Sequence, residues 1–189
     1  MASWSRASFS RNDALGQYHR LAYAYWNLAN IGQKVTGKID RKSLNEAIHQ
    51  FKRMESGNVA KDYGILINQI YLNTQLGNES QIDLLRKKIL AHGPKNRLML
   101  YSGLAHAYLY YQKDCEKVLK YSSKMPLESI PVETERINMT SYRIRCHQIH
   151  GDKKSAQKDY DLLIANTSKE IRKAFSEKMD KIQKIMDEL

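Results

Sequence analysis

The sequence predicts an all-α protein built as an array of about four antiparallel helical hairpins with a C-terminal capping helix. Three observations carry this. Glycine and proline are scarce, 9 and 3 in 189 residues, so the chain has few of the residues that interrupt helices. Apolar residues recur three and four apart through most of its length, the spacing of one face of a helix. A small or β-branched inner position also repeats: Ala47, Ile82, Val118 and Ala156 lie 35, 36 and 38 residues apart, the period of a two-helix repeat.

Residues 1–12 read as a flexible N-terminal segment, followed by a repeat domain over 13–167 whose copies fall at 13–54, 58–93, 96–126 and 132–167. In the first copy Tyr18, Leu21, Tyr25 and Leu28 mark an aromatic helix. Residues 33–42 form an insertion after Gly32, and Ser43 caps a second helix bearing Leu44, Ala47, Ile48 and Phe51. The second copy has Leu66, Ile67, Ile70 and Tyr71, a turn at Gly77-Asn78, a return helix through Ile82, Leu85 and Ile89, and an end at Gly93-Pro94. In the third, Leu98, Tyr101, Leu104, Ala105 and Tyr108 lead into a turn at 112–114 that lacks glycine, and Val118, Leu119 and Tyr121 follow before Pro126. The fourth is the clearest: Ile137, Tyr142, Ile144, Cys146 and Ile149, the break at Gly151-Asp152, then Ala156, Tyr160, Leu163 and Ile164. Residues 168–189 carry Ile171, Phe175, Met179, Ile182, Ile185 and Met186 with nearly balanced charges between, which reads as one amphipathic helix closing the array as a solubilising cap, the alternative being a partner-binding or coiled-coil helix.

Hydrophobic residues make up 42% of the chain, which excludes disorder. Against 20 Asp+Glu stand 31 Lys+Arg, a formal charge of +11 that points to an acidic partner. No apolar run reaches the roughly 18 residues of a membrane helix, and residues 1–10 lack a secretory leader's apolar stretch. The expected place is the cytoplasm, or the cytoplasmic face of a membrane if a segment outside this chain anchors it. Cys115 and Cys146 sit in helical patterns with neither a CxxC spacing nor a nearby His pair, and two reduced buried thiols are expected. His147 and His150 beside a turn read as solvated surface, and Asp159 with Asp161 as the polar face of a helix. No phosphate-cradling glycine loop, HExxH or GxSxG occurs, so no catalytic, metal or cofactor residue is assigned.

The turn segment 151–160, with Gly151-Asp152, Ala156 and Tyr160, resembles the turn and second helix of the tetratricopeptide repeat (TPR) family. Gly77, Ile82 and Pro94 hold the same offsets, Leu104-Ala105 with Tyr108 is similar to the family's first-helix motif, and Ala47 and Phe51 fit in the first copy. Ile82 and Val118 stand where the family has a small alanine, and each copy is degenerate. The resemblance spans roughly residues 13–168. It implies a right-handed superhelical TPR-like α-solenoid whose first helices line a concave groove, and a non-catalytic scaffold that binds a peptide or helical segment of a partner.

Mapping the family's inward positions implies a groove of Tyr23, Trp26 and Asn30 with His19 in copy one, Asn68, Tyr71 and Gln75 in copy two, and Asn138, Tyr142 and Arg145 in copy four. Copy three is one residue ambiguous and offers Ser102, His106 and Tyr110. Amides suit an extended backbone, Tyr and Trp give area at little entropic cost, and Arg145 suits a carboxylate. The same aromatics serve equally as repeat core. The alternatives are a basic surface for nucleic acid in a regulatory protein, carried by clusters such as Arg86-Lys87-Lys88 and Lys153-Lys154 with Lys158, and docking of a membrane-associated protein on anionic lipid. Oligomeric state is left open.

Overall fold

The computed structural model describes residues 3–92 and 97–189, with side chains described from residue 13. The chain is all-α, and no strand occurs among the described residues. It divides into two compact units, 1–94 and 95–189, each holding two of the four copies read from sequence.

The first unit contains α1 (Ser3–Thr36), α2 (Arg41–Met54), α3 (Val59–Leu76) and α4 (Glu79–Leu90), each packed on the next. Helix α1 starts at Ser3, where the sequence suggested a flexible segment to residue 12. Of the expected insertion, residues 33–36 lie in its last turn and 41–42 in α2, leaving Gly37 to Asp40 as a connection. Asp40, not Ser43, caps α2: its carboxylate accepts the Ser43 amide at 3.0 Å and the Ser43 hydroxyl at 2.7 Å. Asparagine does the same for α3, where Asn58 Oδ1 accepts the amides of Ala60 and Lys61. Gly77 closes α3 in the left-handed region at φ 76°, with its amide and that of Asn78 turned back onto the last carbonyls. The core joins Ala22 and Ala29 of α1 to Leu44, Ala47 and Phe51 of α2 and Leu72 and Leu76 of α3. The two alanines present no bulk, so α1 and α2 approach closely. The expected stop at Gly93-Pro94 lies outside the described residues.

The second unit contains α5 (Arg97–Ala107), α6 (Cys115–Ser122), α7 (Glu133–His150), α8 (Lys153–Ala165), α9 (Lys169–Ala174) and α10 (Ser176–Asp187). Helix α5 runs into a π-helical turn at Tyr108–Gln112 that ends on Lys113, a non-glycine residue at φ 55°. A π turn accommodates one residue more than an α turn. That extra residue is why the third copy looks out of step in sequence. Gly151 at φ 69° ends α7, and Asp152 caps α8 through the Ser155 amide. Ile137, Ile144, Ala156, Leu163, Ile182 and Met186 form the core, so α10 is seated on α7 and α8.

Four expectations are corrected here. The closing segment is two helices rather than one, broken at Phe175, whose backbone leaves the helical region at φ −111°, ψ 30°. Cys115 and Cys146 are joined as a disulfide between the start of α6 and the last turns of α7, so they are not reduced thiols. Asp159 is 1% exposed instead of solvated, because Arg143 donates two hydrogen bonds to it at 2.7 and 2.8 Å. His147 is also buried, with Nε2 3.2 Å from the Asp159 carboxylate. These three residues make a buried polar cluster between α7 and α8.

Candidate functional site

In the first unit the six groove residues read from sequence form one ladder between α1 and α3. Tyr23, Trp26 and Asn30 follow an i, i+3, i+7 spacing on α1, and Asn68, Tyr71 and Gln75 follow the same spacing on α3, so each helix offers one stripe. Asn68 Nδ2 donates to the Tyr23 hydroxyl at 2.9 Å. Gln75 Nε2 donates to Asn30 Oδ1 at 3.0 Å and to Gln33 Oε1 at 2.9 Å. The Trp26 ring stacks near Tyr23 at 5.9 Å and tilts against Tyr71 at 6.2 Å. Most of the amide capacity intended for a ligand is therefore used between the helices. Gln75 is 4% exposed, and its Oε1 and the Trp26 indole N–H have no hydrogen-bond partner among the described residues.

In the second unit the structure brings His106 of α5 to Tyr142 of α7. His106 Nδ1 lies 3.0 Å from the Tyr142 hydroxyl, and the His106 ring is 4.4 Å from Tyr110. Burial pushes the imidazole below its usual range, nearby Lys178 pushes the same way, and Glu135 opposes them. His106 is thereby biased to the neutral form. Tyr142 is 7% exposed, a buried packing residue rather than a contact surface. Ser102 donates to Glu135 at 2.7 Å, and Glu135 accepts a long hydrogen bond from Asn138 at 3.5 Å.

Helix α10 supplies what the sequence reading missed. Lys178 donates to Asn138 Oδ1 and stands 5.7 Å from the centre of the Tyr142 ring. Its half-buried ammonium is pushed below the usual lysine range by desolvation, with Glu135 pulling back. Together with Tyr110, Ser141, Arg145, Phe175, Lys181 and Ile185 it lines a cavity of about 610 Å³ between the π turn, α7 and the α9–α10 break. Glu177 is the one acidic lining residue, and it pairs with Lys181 at 2.6 Å. Arg145 is exposed, with no ion pair among the described residues, and it also borders a smaller cavity of about 200 Å³ beside Cys115 and Lys113. The signal was present in the sequence: Lys178, Lys181 and Ile185 repeat the i, i+3, i+7 spacing of the first-unit stripes. Reading residues 168–189 as a solubilising cap concealed it.

Chemically this cavity offers cations on an aromatic and apolar wall, which suits a carboxylate attached to an apolar segment. The outer face of α8, with Lys153, Lys154, Lys158, Leu162 and Ala165, is a separate and more open basic surface. Among the described residues no cluster of three or more His, Cys, Asp or Glu could hold a metal ion, and no helix is long and apolar enough to cross a membrane. No family model, no curated protein and no solved structure matches the chain.

Proposed function

We propose that this protein is a non-catalytic interaction module, its helix pairs degenerate TPR hairpins in a right-handed array, that binds an acidic peptide or helical segment of a partner. The observation that carries the reading is the cavity in the second unit, which Arg145, Lys178 and Lys181 line together with Tyr110 and Phe175, Glu177 being its one acidic lining residue. An acidic side chain gains charge-assisted hydrogen bonds there, and its apolar neighbours gain the aromatic wall. The Tyr23, Trp26 and Tyr71 face of the first unit supports the same kind of function through aromatic area, with the unpartnered Trp26 N–H and Gln75 carbonyl as a donor and an acceptor once those side chains rearrange.

Fluorescence anisotropy against an array of labelled acidic and neutral peptides tests this reading. Acidic sequences with an adjacent aromatic or aliphatic residue bind, and Arg145→Ala weakens them by about tenfold, the equivalent of one charge-assisted contact. Equal binding of neutral and acidic peptides, or indifference to Arg145→Ala, overturns it. If a nucleic-acid probe binds instead with a steep salt dependence abolished by reversing Lys153, Lys154 and Lys158, the α8 surface is the functional one.

A further inference from the structure

Aliphatic exposure is concentrated in one stretch of the first unit. Of the ten large hydrophobic side chains exposed among the described residues, Leu21, Leu28, Ile31, Val35 and Ile39 fall within 21–39. The first four share one face of α1 by their spacing, turned away from the core that takes Ala22 and Ala29 and from α3, to which Tyr23 and Asn30 are bonded. Exposure climbs along this face from 44% at Leu21 to 79% at Val35, in the last turn before the chain reverses at 37–40. Contiguous apolar exposure of this kind marks an interaction site. Cations frame it: Arg20 and Lys34 on one flank of the face, Lys38 in the reversal, and Arg41 and Lys42 at the start of α2, all exposed. None of the five makes an ion pair among the described residues. The acid within 20–42 is Asp40, whose carboxylate is engaged in capping α2 through Ser43. Because Tyr23 meets Asn68 and Asn30 meets Gln75, α1 and α3 run parallel, so the α3–α4 turn lies at the same end and adds Glu79. A clear excess of positive charge is left.

We propose that this face of α1 and the α1–α2 turn dock on an anionic lipid surface, the aliphatic side chains entering the boundary between headgroups and acyl chains and the five cations lying among the headgroups. An apolar helix face bordered by Lys and Arg is the pattern of interfacial helices. Three features select a bilayer as the occupant. The cations continue past the end of α1 into the turn and α2, so a helix laid along α1 covers the aliphatic stripe but not Lys38, Arg41 and Lys42, whereas a planar anionic surface meets stripe and turn together. Exposures from 44 to 79% describe a face that stands out from the unit, with no recess to receive the buried anchor residue on which a protein interface depends. A nucleic-acid backbone satisfies the cations but offers Leu28, Ile31 and Val35 nothing apolar to enter, while acyl chains do. Helix α1 is already held against α2 and α3, so docking bears no cost of ordering it. The net charge of +11 draws the whole chain toward such a surface.

Co-sedimentation of the full chain with phosphatidylcholine vesicles, with and without about 30% phosphatidylserine, tests this. The protein pellets with the anionic vesicles and not with the neutral ones, and less of it pellets as salt rises. Lys38→Ala/Lys42→Ala weakens binding by about 25-fold, at about fivefold per cation. Ile31→Ser/Val35→Ser also weakens binding with helical circular dichroism unchanged, since both side chains are exposed; Val35→Ser alone serves should the pair unfold. Acrylodan attached at Val35→Cys shifts to the blue on anionic vesicles, both native cysteines being bonded to each other. The probe is a vesicle and the substituted residues belong to the first unit, so failure here leaves the peptide cavity of the second unit untouched. Absence of binding, or equal binding to neutral vesicles, overturns the proposal. So does binding that folded Ile31→Ser/Val35→Ser leaves intact, or binding abolished by reversing Lys153 and Lys154 but not by Lys38→Ala/Lys42→Ala. A DNA or RNA oligonucleotide that displaces the vesicles and binds through Lys38 and Lys42, indifferent to Ile31→Ser/Val35→Ser, makes nucleic acid the occupant and overturns it as well.

Discussion

Replacing Asp159 by alanine leaves the Arg143 guanidinium without its two-hydrogen-bond partner, on a side chain only 21% exposed. A carboxylate at 1% exposure holding a guanidinium at 2.7 and 2.8 Å is a buried pair. Breaking such a pair by removing one member costs about 3 to 5 kcal/mol, because the remaining charge is desolvated and unpaired. His147, 3.2 Å from the same carboxylate, loses its polar neighbour as well. For a unit of about 95 residues, each kcal/mol moves the midpoint by about 4 to 8 °C, so Asp159→Ala lowers it by at least about 12 °C. Thermal and urea unfolding followed by circular dichroism read this directly. The double variant Arg143→Leu/Asp159→Leu removes both charges and recovers part of the loss, since no buried charge is left unpaired, although His147 still lacks its neighbour. A midpoint within about 1 °C of wild type for Asp159→Ala, or a double variant that is simply the sum of the two singles, refutes the buried-pair account.

Reducing the Cys115–Cys146 bond, which spans a sequence separation of 31, destabilises the second unit by about 3 to 4 kcal/mol through the released loop entropy; melts with and without a phosphine reductant measure it. Asp62 accepts from the Ser56 amide and hydroxyl and from the Gly57 amide. Burial raises its pKa, but these donors outweigh it and hold the carboxyl below the usual value of 3.8. Its contribution is thus complete above pH 3.8 and lost as pH falls through the depressed folded value, so Asp62→Asn flattens the acid limb of a stability-versus-pH curve below pH 4 in denaturant titrations. Gly77→Ala forces a side chain into a left-handed backbone at φ 76°, which costs about 1 to 2 kcal/mol in urea unfolding. Ala156→Leu overpacks a fully buried position and lowers the melting midpoint by the equivalent of about 1 to 3 kcal/mol.

Helix positions were legible because the apolar spacing and the glycines at 77 and 151 are local signals, written within a few residues of the feature they specify, whereas the α2 cap fell to Asp40 rather than Ser43. The α1–α3 ladder was not legible: its residues came from the family resemblance as groove positions for a ligand, and only the packing of the two helices shows Asn68 bonded to Tyr23 and Gln75 to Asn30. The disulfide was not legible. Cys115 and Cys146 are separated by α6, a loop and most of α7, and only the packing of α6 on α7 brings their Cα atoms to 5.1 Å. Nor could sequence show that Asp159 is buried: on a helical wheel it belongs to the polar face, and its burial depends on Arg143 lying across from it. Lys178 was overlooked because charges interleaved on an amphipathic helix look alike until a neighbouring helix, here α7, chooses which of them face inward.

The cavity of α7, α10 and the π turn is proposed to hold an acidic segment of a partner. Isothermal titration of the full chain with the tightest acidic peptide from the array, repeated with Arg145→Ala and with Lys178→Ala, tests that claim most directly. The account predicts one site per chain in wild type, a loss of about tenfold or more in each variant, and only a shallow dependence on salt because few charges are exchanged. Unchanged affinity in both variants, with each still folded, contradicts it.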